Sequence, residues 1–298
     1  MTGKYWRREG LLFEPEQKSE IIGFTHASNP LAIPRTIDVY QILYSTRDKE
    51  NRSSIASIEI DIKNHRILEN TNRLILTHGS DDSFYSHGIS IGNYWQENGE
   101  THVGFMGWHK EEGKHWFGEI GAVNLNNLMV YKLLATSNED PISLSYPFIL
   151  KEDGIYKMWY GSTVRWETEH NEMIHVIKYA TSKNARDWVY HDQAVETTLG
   201  IEQAFSRPSI LKINNEYNMW YSCRGEFGTS YTIGHSVSSD GISWRRGKLD
   251  LLPSQLPNEW DSDMTCYPYV FSDNENVYML YNGNKYGKTG FGLARLEM

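Results

Sequence analysis

Cysteine is nearly absent: Cys223 and Cys266 are the only two in 298 residues. They share no metal-ligand spacing. Each lies in an apolar or aromatic run, so two small buried core residues are expected rather than a metal site. No run of about 18 apolar residues occurs, which excludes a membrane-spanning helix. The opening MTGKYWRREG has no apolar stretch of the kind a secretory signal carries. A soluble, cytoplasmic protein is the expectation. Positive charge is scarce too, with 29 Lys+Arg against 38 Asp+Glu, a net charge of −9, and no basic cluster beyond Arg245-Arg246. Nucleic acid and anionic membrane surfaces are therefore poor partners. No linker-like Gly/Ser/Pro stretch interrupts the chain, so one domain over residues 1–298 is expected.

Aromatic residues, by contrast, are abundant: 19 Tyr and 10 Trp within a 13% aromatic share. Such residues fit pleated strands, and the composition leans toward β structure. Three segments align with one another: YPFILKEDGIYKMWYGS (146–162), RPSILKINNEYNMWYSCRG (207–225) and YPYVFSDNENVYMLYNGNKYG (267–287). Each has a proline, a few apolar residues, a polar turn and an aromatic strand closing on Tyr160, Tyr221 or Tyr281, which is the pattern of a β-hairpin. The spacing is about sixty residues. Weaker copies lie at 29–48, ending near Tyr44, and at 86–109, ending near Trp108. A third strand follows each hairpin, and in two units a fourth, led by Trp188 or Trp244.

Five units of about four strands each predict an all-β, five-bladed β-propeller. The last unit ends at TGFGLARLEM after three strands. Its missing fourth strand is found at the other terminus: WRREGLLFEP (6–15) nearly copies WRRGKLDLLP (244–253), the fourth strand of the preceding unit. Closure of the ring by the N-terminal strand is expected, covering an edge that would otherwise invite aggregation.

In a propeller the inner strands converge on the axis, so residues before the first strand and after the second strand of each unit should gather at one mouth. Before the first strands lie His26, Asn29, Asp82, His87, Glu202, Arg207, Asp263 and Tyr267; after the second lie Arg47, Asp48, Trp108, Arg224, Asn282 and Lys285. Carboxylates and amides bind hydroxyls and aromatic faces stack on sugar rings, so this set suits a carbohydrate. Asp82, Glu202 and Asp263 are the candidate catalytic acids, since two carboxylates flanking a bond can act as acid and base. The others are candidate substrate-binding residues. Each has a plainer alternative. Asp82 would cap a turn, Glu202 would pair with Arg207, and Arg47-Asp48 would be a simple salt bridge. His26, His87 and His109 share no ligand spacing, so neither a metal nor any other cofactor is expected.

The runs KMWYGS, NMWYSCRG and YMLYNGN, with ATSKNARDW and SVSSDGISW between them, resemble the five-bladed propeller glycosidase superfamily. That group holds glycoside hydrolase families 43, 32 and 68 and the family 130 mannoside phosphorylases. THASNPLAI, LYSTRDKENRSSIASIEID, SDDSFYSHGIS and WDSDMTCYPYVF resemble a subgroup often encoded among bacterial surface-polysaccharide genes. The resemblance implies an enzyme acting at a glycosidic bond. Families 43 and 32 place an Asp at the start of the first and third blades; this chain has Asn29 and SLSYP there. Their hydrolytic triad does not carry over. A phosphorylase needs only a general acid, with phosphate held by cations such as Arg47, Arg207, Arg224 and Lys285. A sugar-nucleotide transferase would use the same cations for a diphosphate. A non-catalytic propeller that binds a glycan or a protein is the reading from another class.

Overall fold

Strand follows strand through the computed structural model, which describes residues 4–15, 21, 23–110, 115–167, 172–195, 204–225, 229–273 and 276–297. The described residues hold twenty-one strands and a four-residue helical turn, α1 (Asn284–Gly287). The expected hairpins are present, each extended by a third strand. They are β2 (Thr25–Thr36), β3 (Val39–Arg47) and β4 (Ser53–Asp61), then β7 (Gly88–Glu97), β8 (Glu100–Lys110) and β9 (Trp116–Asn124). Next come β11 (Leu144–Glu152), β12 (Ile155–Glu167) and β13 (Glu172–Ser182), followed by β15 (Ala204–Ile213), β16 (Glu216–Arg224) and β17 (Thr232–Ser238). The series ends with β19 (Cys266–Asp273), β20 (Asn276–Asn282) and β21 (Phe291–Glu297).

The expected outer strands β14 (Trp188–Gln193) and β18 (Arg245–Leu251) pair with β13 and β17. Two outer positions carry no leading Trp and were not legible in sequence. One is β10 (Val130–Leu134), and the other is the broken pair β5 (Arg66–Ile67) and β6 (Arg73–Leu76), both on β4. A single parallel contact, His175 with Ala204, joins β13 to β15 and makes one larger sheet of two strand groups.

The N-terminal strand β1 (Tyr5–Phe13) runs antiparallel to β21, from Tyr5 opposite Glu297 to Phe13 opposite Phe291. Trp6 packs edge-on against Trp220 of the neighbouring group at 5.6 Å. Its indole and that of Trp220 both donate to the Asp250 carboxylate. The near copy of the WRR strand thus lies where its pattern places it.

Second strands such as β16 are buried on both faces, which is why they read as nearly continuous apolar runs rather than alternating ones. The closing tyrosines are buried, and each finds a partner: Tyr44 on Asn72, Tyr160 on Asp140, Tyr221 on Ser236 and Tyr281 on Asp261. The first tyrosine of the second strand performs a different task. Tyr156 donates to Glu97 and Tyr217 to Glu152, in each case the acid ending the first strand of the preceding group. These bonds stitch neighbouring groups together around the molecule.

Candidate functional site

Every inner strand breaks its pairing, β2 at three places and each of the others at one. The register slips between Ser28 and Leu31, Ile91 and Tyr94, Ser145 and Phe148, Ser206 and Ser209, and Cys266 and Tyr269. Four of these bulges are residue–proline pairs, and the residue before proline has a left-handed φ: Asn29 (55°), Tyr146 (42°), Arg207 (50°) and Tyr267 (53°). Proline has no N–H to give a ladder and is tolerated at a bulge. The bulge re-aims the preceding side chain. Proline in the repeat therefore marks the place where four of the five inner strands change the direction of one side chain.

Arg207 is turned into the protein. It is 1% exposed. Nε donates to Ile91 O (3.2 Å), Nη1 to Tyr267 O (2.5 Å) and Pro268 O (2.9 Å), and Nη2 to Pro30 O (2.8 Å). It thus ties together the bulges of three other strand groups. Burial lowers its pKa to about 10, so it stays charged at pH 7.

A cavity of about 500 Å³ is lined by residues from all the strand groups. Its lining includes Trp108, Trp116 and Trp166 with Met106 and Met173, and Arg47 and Arg224 with Tyr231, Tyr267 and Tyr286. The tryptophans stand on two long ribbons. β12 and β13 stay paired out to Glu167 and Glu172, whereas β11 ends opposite Ser162. β8 and β9 pair out to Lys110 and Trp116, whereas β7 ends opposite Trp108. Across the gap between ribbons, the His115 and Trp166 rings meet.

Elsewhere on the wall, the Arg224 guanidinium lies over the Tyr231 ring at 5.2 Å. Tyr146 and Tyr267 share a hydroxyl contact of 3.3 Å. Burial raises the pKa of both phenols, so they remain protonated donors. Among the described residues, no carboxylate lines this cavity.

Of the expected site residues, Arg47, Trp108, Arg224 and Tyr267 come together here. Arg207 does not line the cavity; its donors are spent on carbonyl oxygens below it. Asp82 and Asp263 do not reach it either. Asp82 is exposed and accepts from Ser80 at 2.6 Å, which holds its carboxyl below the usual range. Asp263 is exposed and bonded to Ser262, and its backbone N–H donates to Asn284. Both acids sit in turns ahead of their strands, where short side chains satisfy local donors first. Glu202 lies outside the described residues.

Asp48 is consumed by its own turn, accepting from the Glu50 and Arg52 amides and the Arg52 guanidinium. Asn282 is fully buried and donates to Ala27 O and Gly290 O while accepting from the Asn29 amide. Asn29 is thereby held inside the framework. His87 sits beside Trp108, its Nδ1 near Ser86 and the Lys110 amide. His26 is bonded to Thr25, and burial together with Arg47 and Lys288 lowers it to about 4. Lys285 is exposed in α1; its neighbour Tyr286 lines the cavity. No group of three or more potential metal ligands occurs among the described residues, and no helix there is long and apolar enough to cross a membrane.

Sequence reasoning missed Tyr146 and the starts of the third strands, which supply Trp116, Met173 and His175. The signal was available in the residue–proline repeat and in the unusual length of the 155–182 hairpin.

No family model matches the chain. The fold is that of the propeller glycosidases and phosphorylases. The β-1,2-mannobiose phosphorylase of Listeria innocua superposes with a TM-score of 0.73 at 14% identity, covering 100% of this chain and 97% of that one. The inulosucrase of Halalkalicoccus jeotgali gives 0.69 at 11% identity, covering 97% and 89%. At these identities the likeness is one of fold. Two Mycobacterium tuberculosis sequences, "Uncharacterized protein Rv1502" (strain H37Rv) and "Uncharacterized protein MT1551" (strain CDC 1551), are each 33% identical over 302 residues, spanning 98% of this chain and 99% of theirs. The chain belongs to the family of these two mycobacterial proteins.

Proposed function

We propose that the chain is a single five-bladed propeller, closed by β1, whose cavity is the active site of a carbohydrate-active enzyme. It acts at a glycosidic bond of a sugar that carries an anionic or activating group. The observation that carries this reading is a cavity lined by arginines, tryptophans and tyrosines together. Arginine forks match phosphate and carboxylate oxygens. Tryptophan faces pack against the C–H faces of sugar rings, and protonated phenols bond hydroxyls. The two solved structures named above are of enzymes whose names give sugars as their ligands, which supports a sugar here.

Glu202 is the proposed general acid. It stands two positions before Ala204 in sequence, and Ala204 pairs with both Arg224 and His175 of the cavity wall. With phosphate as nucleophile, Arg47 and Arg224 would hold it; with a nucleotide sugar, the same pair would hold the diphosphate. The resemblance to propellers of surface-polysaccharide gene clusters supports an activated or lipid-linked sugar as substrate.

A second reading, a propeller that binds a glycan without turnover, is favoured by the lack of a carboxylate among the described lining residues. An activity panel separates the two, using glycosides with and without phosphate together with nucleotide sugars. Turnover that requires the anionic partner, and that drops by about 10²-fold or more in Glu202→Gln, supports the enzyme. Rapid phosphate-independent hydrolysis indifferent to that change contradicts it, and tight glycan binding with no turnover favours the second reading.

A further inference from the structure

His175 has no part in the reading above, yet its surroundings are the most tightly specified on the cavity wall. It stands opposite Thr163 in the β12–β13 ribbon. Its Nδ1 lies 3.1 Å from Thr163 Oγ1, and that hydroxyl donates to Met173 Sδ at 3.3 Å. A hydroxyl has one proton to give. The thioether sulfur and the imidazole nitrogen compete for that proton; when it is directed at sulfur, the oxygen accepts from the imidazole. Nδ1 then carries the ring proton, and Nε2 keeps its lone pair. Thr163 is itself fixed, 1% exposed, with its amide donating to Ser143 O at 2.9 Å. Burial first, and then the charge of Arg224, lower His175 to about 4, so the ring is neutral at pH 7.

Position adds a second argument. His175, Ala204 and Arg224 form one row across β13, β15 and β16. Two strand spacings separate the outer members of the row, roughly 10 Å. A guanidinium can only donate, whereas the ring held by Thr163 offers an acceptor. The row therefore presents an anion-binding donor and a hydroxyl-binding acceptor at a separation suited to a sugar phosphate.

We propose that His175 is a specificity residue whose Nε2 accepts a hydrogen bond from a hydroxyl of the sugar whose anionic group Arg224 holds, and that Thr163 is the positioning residue that fixes its tautomer. The proposal rests on the carbohydrate reading above.

The first test needs no ligand. In ¹⁵N-resolved NMR of the full chain at pH 7, His175 should show a neutral ring with the proton on Nδ1. A charged ring or an Nε2–H tautomer overturns the proposal. The second test is calorimetric titration with orthophosphate and with the 1-phosphates of glucose, galactose and mannose. His175→Leu should weaken the preferred hexose phosphate about tenfold, the worth of one hydrogen bond, and leave orthophosphate unchanged. His175→Gln, which keeps an acceptor, should recover part of the loss. Thr163→Val should move the tautomer toward Nε2–H and weaken the same hexose phosphate. Hexose phosphate binding untouched by His175→Leu, or equal losses for both ligands, sinks this inference alone. A wild-type protein that binds orthophosphate but prefers no hexose phosphate to it sinks the carbohydrate reading, and this inference with it.

Discussion

Arg207 and Arg224 sit on the two strands of one hairpin, and they serve opposite purposes. Arg207 occupies the bulge of β15 and gives its donors to four carbonyl oxygens. Arg224 ends β16 and lines the cavity over an aromatic ring. Residue type does not separate them; what each side chain touches does. The bulge alone does not decide it, since Tyr146 and Tyr267 also stand at bulges and line the cavity. Nor does the end of the second strand, where Arg47 and Arg224 line the cavity but Asn282 is taken up by the framework. The same contrast holds between Asn29, consumed by the framework, and Arg47, on the cavity wall. Framework residues should show their loss in stability, and wall residues in binding.

The largest effect is expected at the N-terminal strand. Deleting residues 1–13 removes the outer partner of β21, leaving it paired only with β20, and uncovers Phe291, which is fully buried. Aggregated or insoluble protein is expected on expression; a soluble, cooperatively unfolding deletion would break the account of β1 as framework.

Next comes the arginine pair. Arg207→Met leaves buried carbonyl oxygens unpaired and should cost on the order of 3–5 kcal/mol in chemical denaturation. Arg224→Met should cost about 1 kcal/mol or less, the scale of a cation–π contact. Equal losses would erase the distinction between the two positions.

A further expected effect is a pH dependence of stability. His26 and His175 are both lowered to about 4 from an ordinary 6.5. The unfolded chain therefore takes up protons first as pH falls. Their contribution is complete above about pH 6.5 and is lost between there and pH 4, on the order of 1–3 kcal/mol per histidine. Urea midpoints at pH 7 and 4.5 read this difference, and His26→Gln should flatten it; an unchanged slope would place His26 outside the buried framework.

The strand groups were legible because each hairpin repeats proline, apolar run, turn and aromatic strand, and the N-terminal strand because WRR occurs twice. The outer strands β6 and β10 were not, since RLIL and VYKLL carry no leading tryptophan. Of the residues read as mouth positions after the second strands, Arg47, Trp108 and Arg224 line the cavity, whereas Asp48 is held by its own turn and Asn282 by the framework. Arg207 was misplaced because a bulge changes the direction of a side chain without changing its position in sequence. Asp82 and Asp263 were misplaced because a turn acid is captured by donors a few residues away before it can serve a distant cavity. Trp116, Trp166 and His175 were missed because the ribbons run past the inner strands, a length difference visible only once the pairing is known.

The central claim is that Arg47 and Arg224 form the anion-binding side of a sugar site while Arg207 does not. Calorimetric titration of the 1-phosphates of glucose, galactose and mannose into wild type and into the Arg47→Met/Arg224→Met double variant tests it directly. The account predicts binding of at least one of these ligands by wild type, a loss of about 100-fold or more in the double variant, two charge-assisted contacts of about 1.5 kcal/mol or more each, and an unfolding midpoint close to that of wild type. Undiminished hexose phosphate binding by a folded double variant would contradict it.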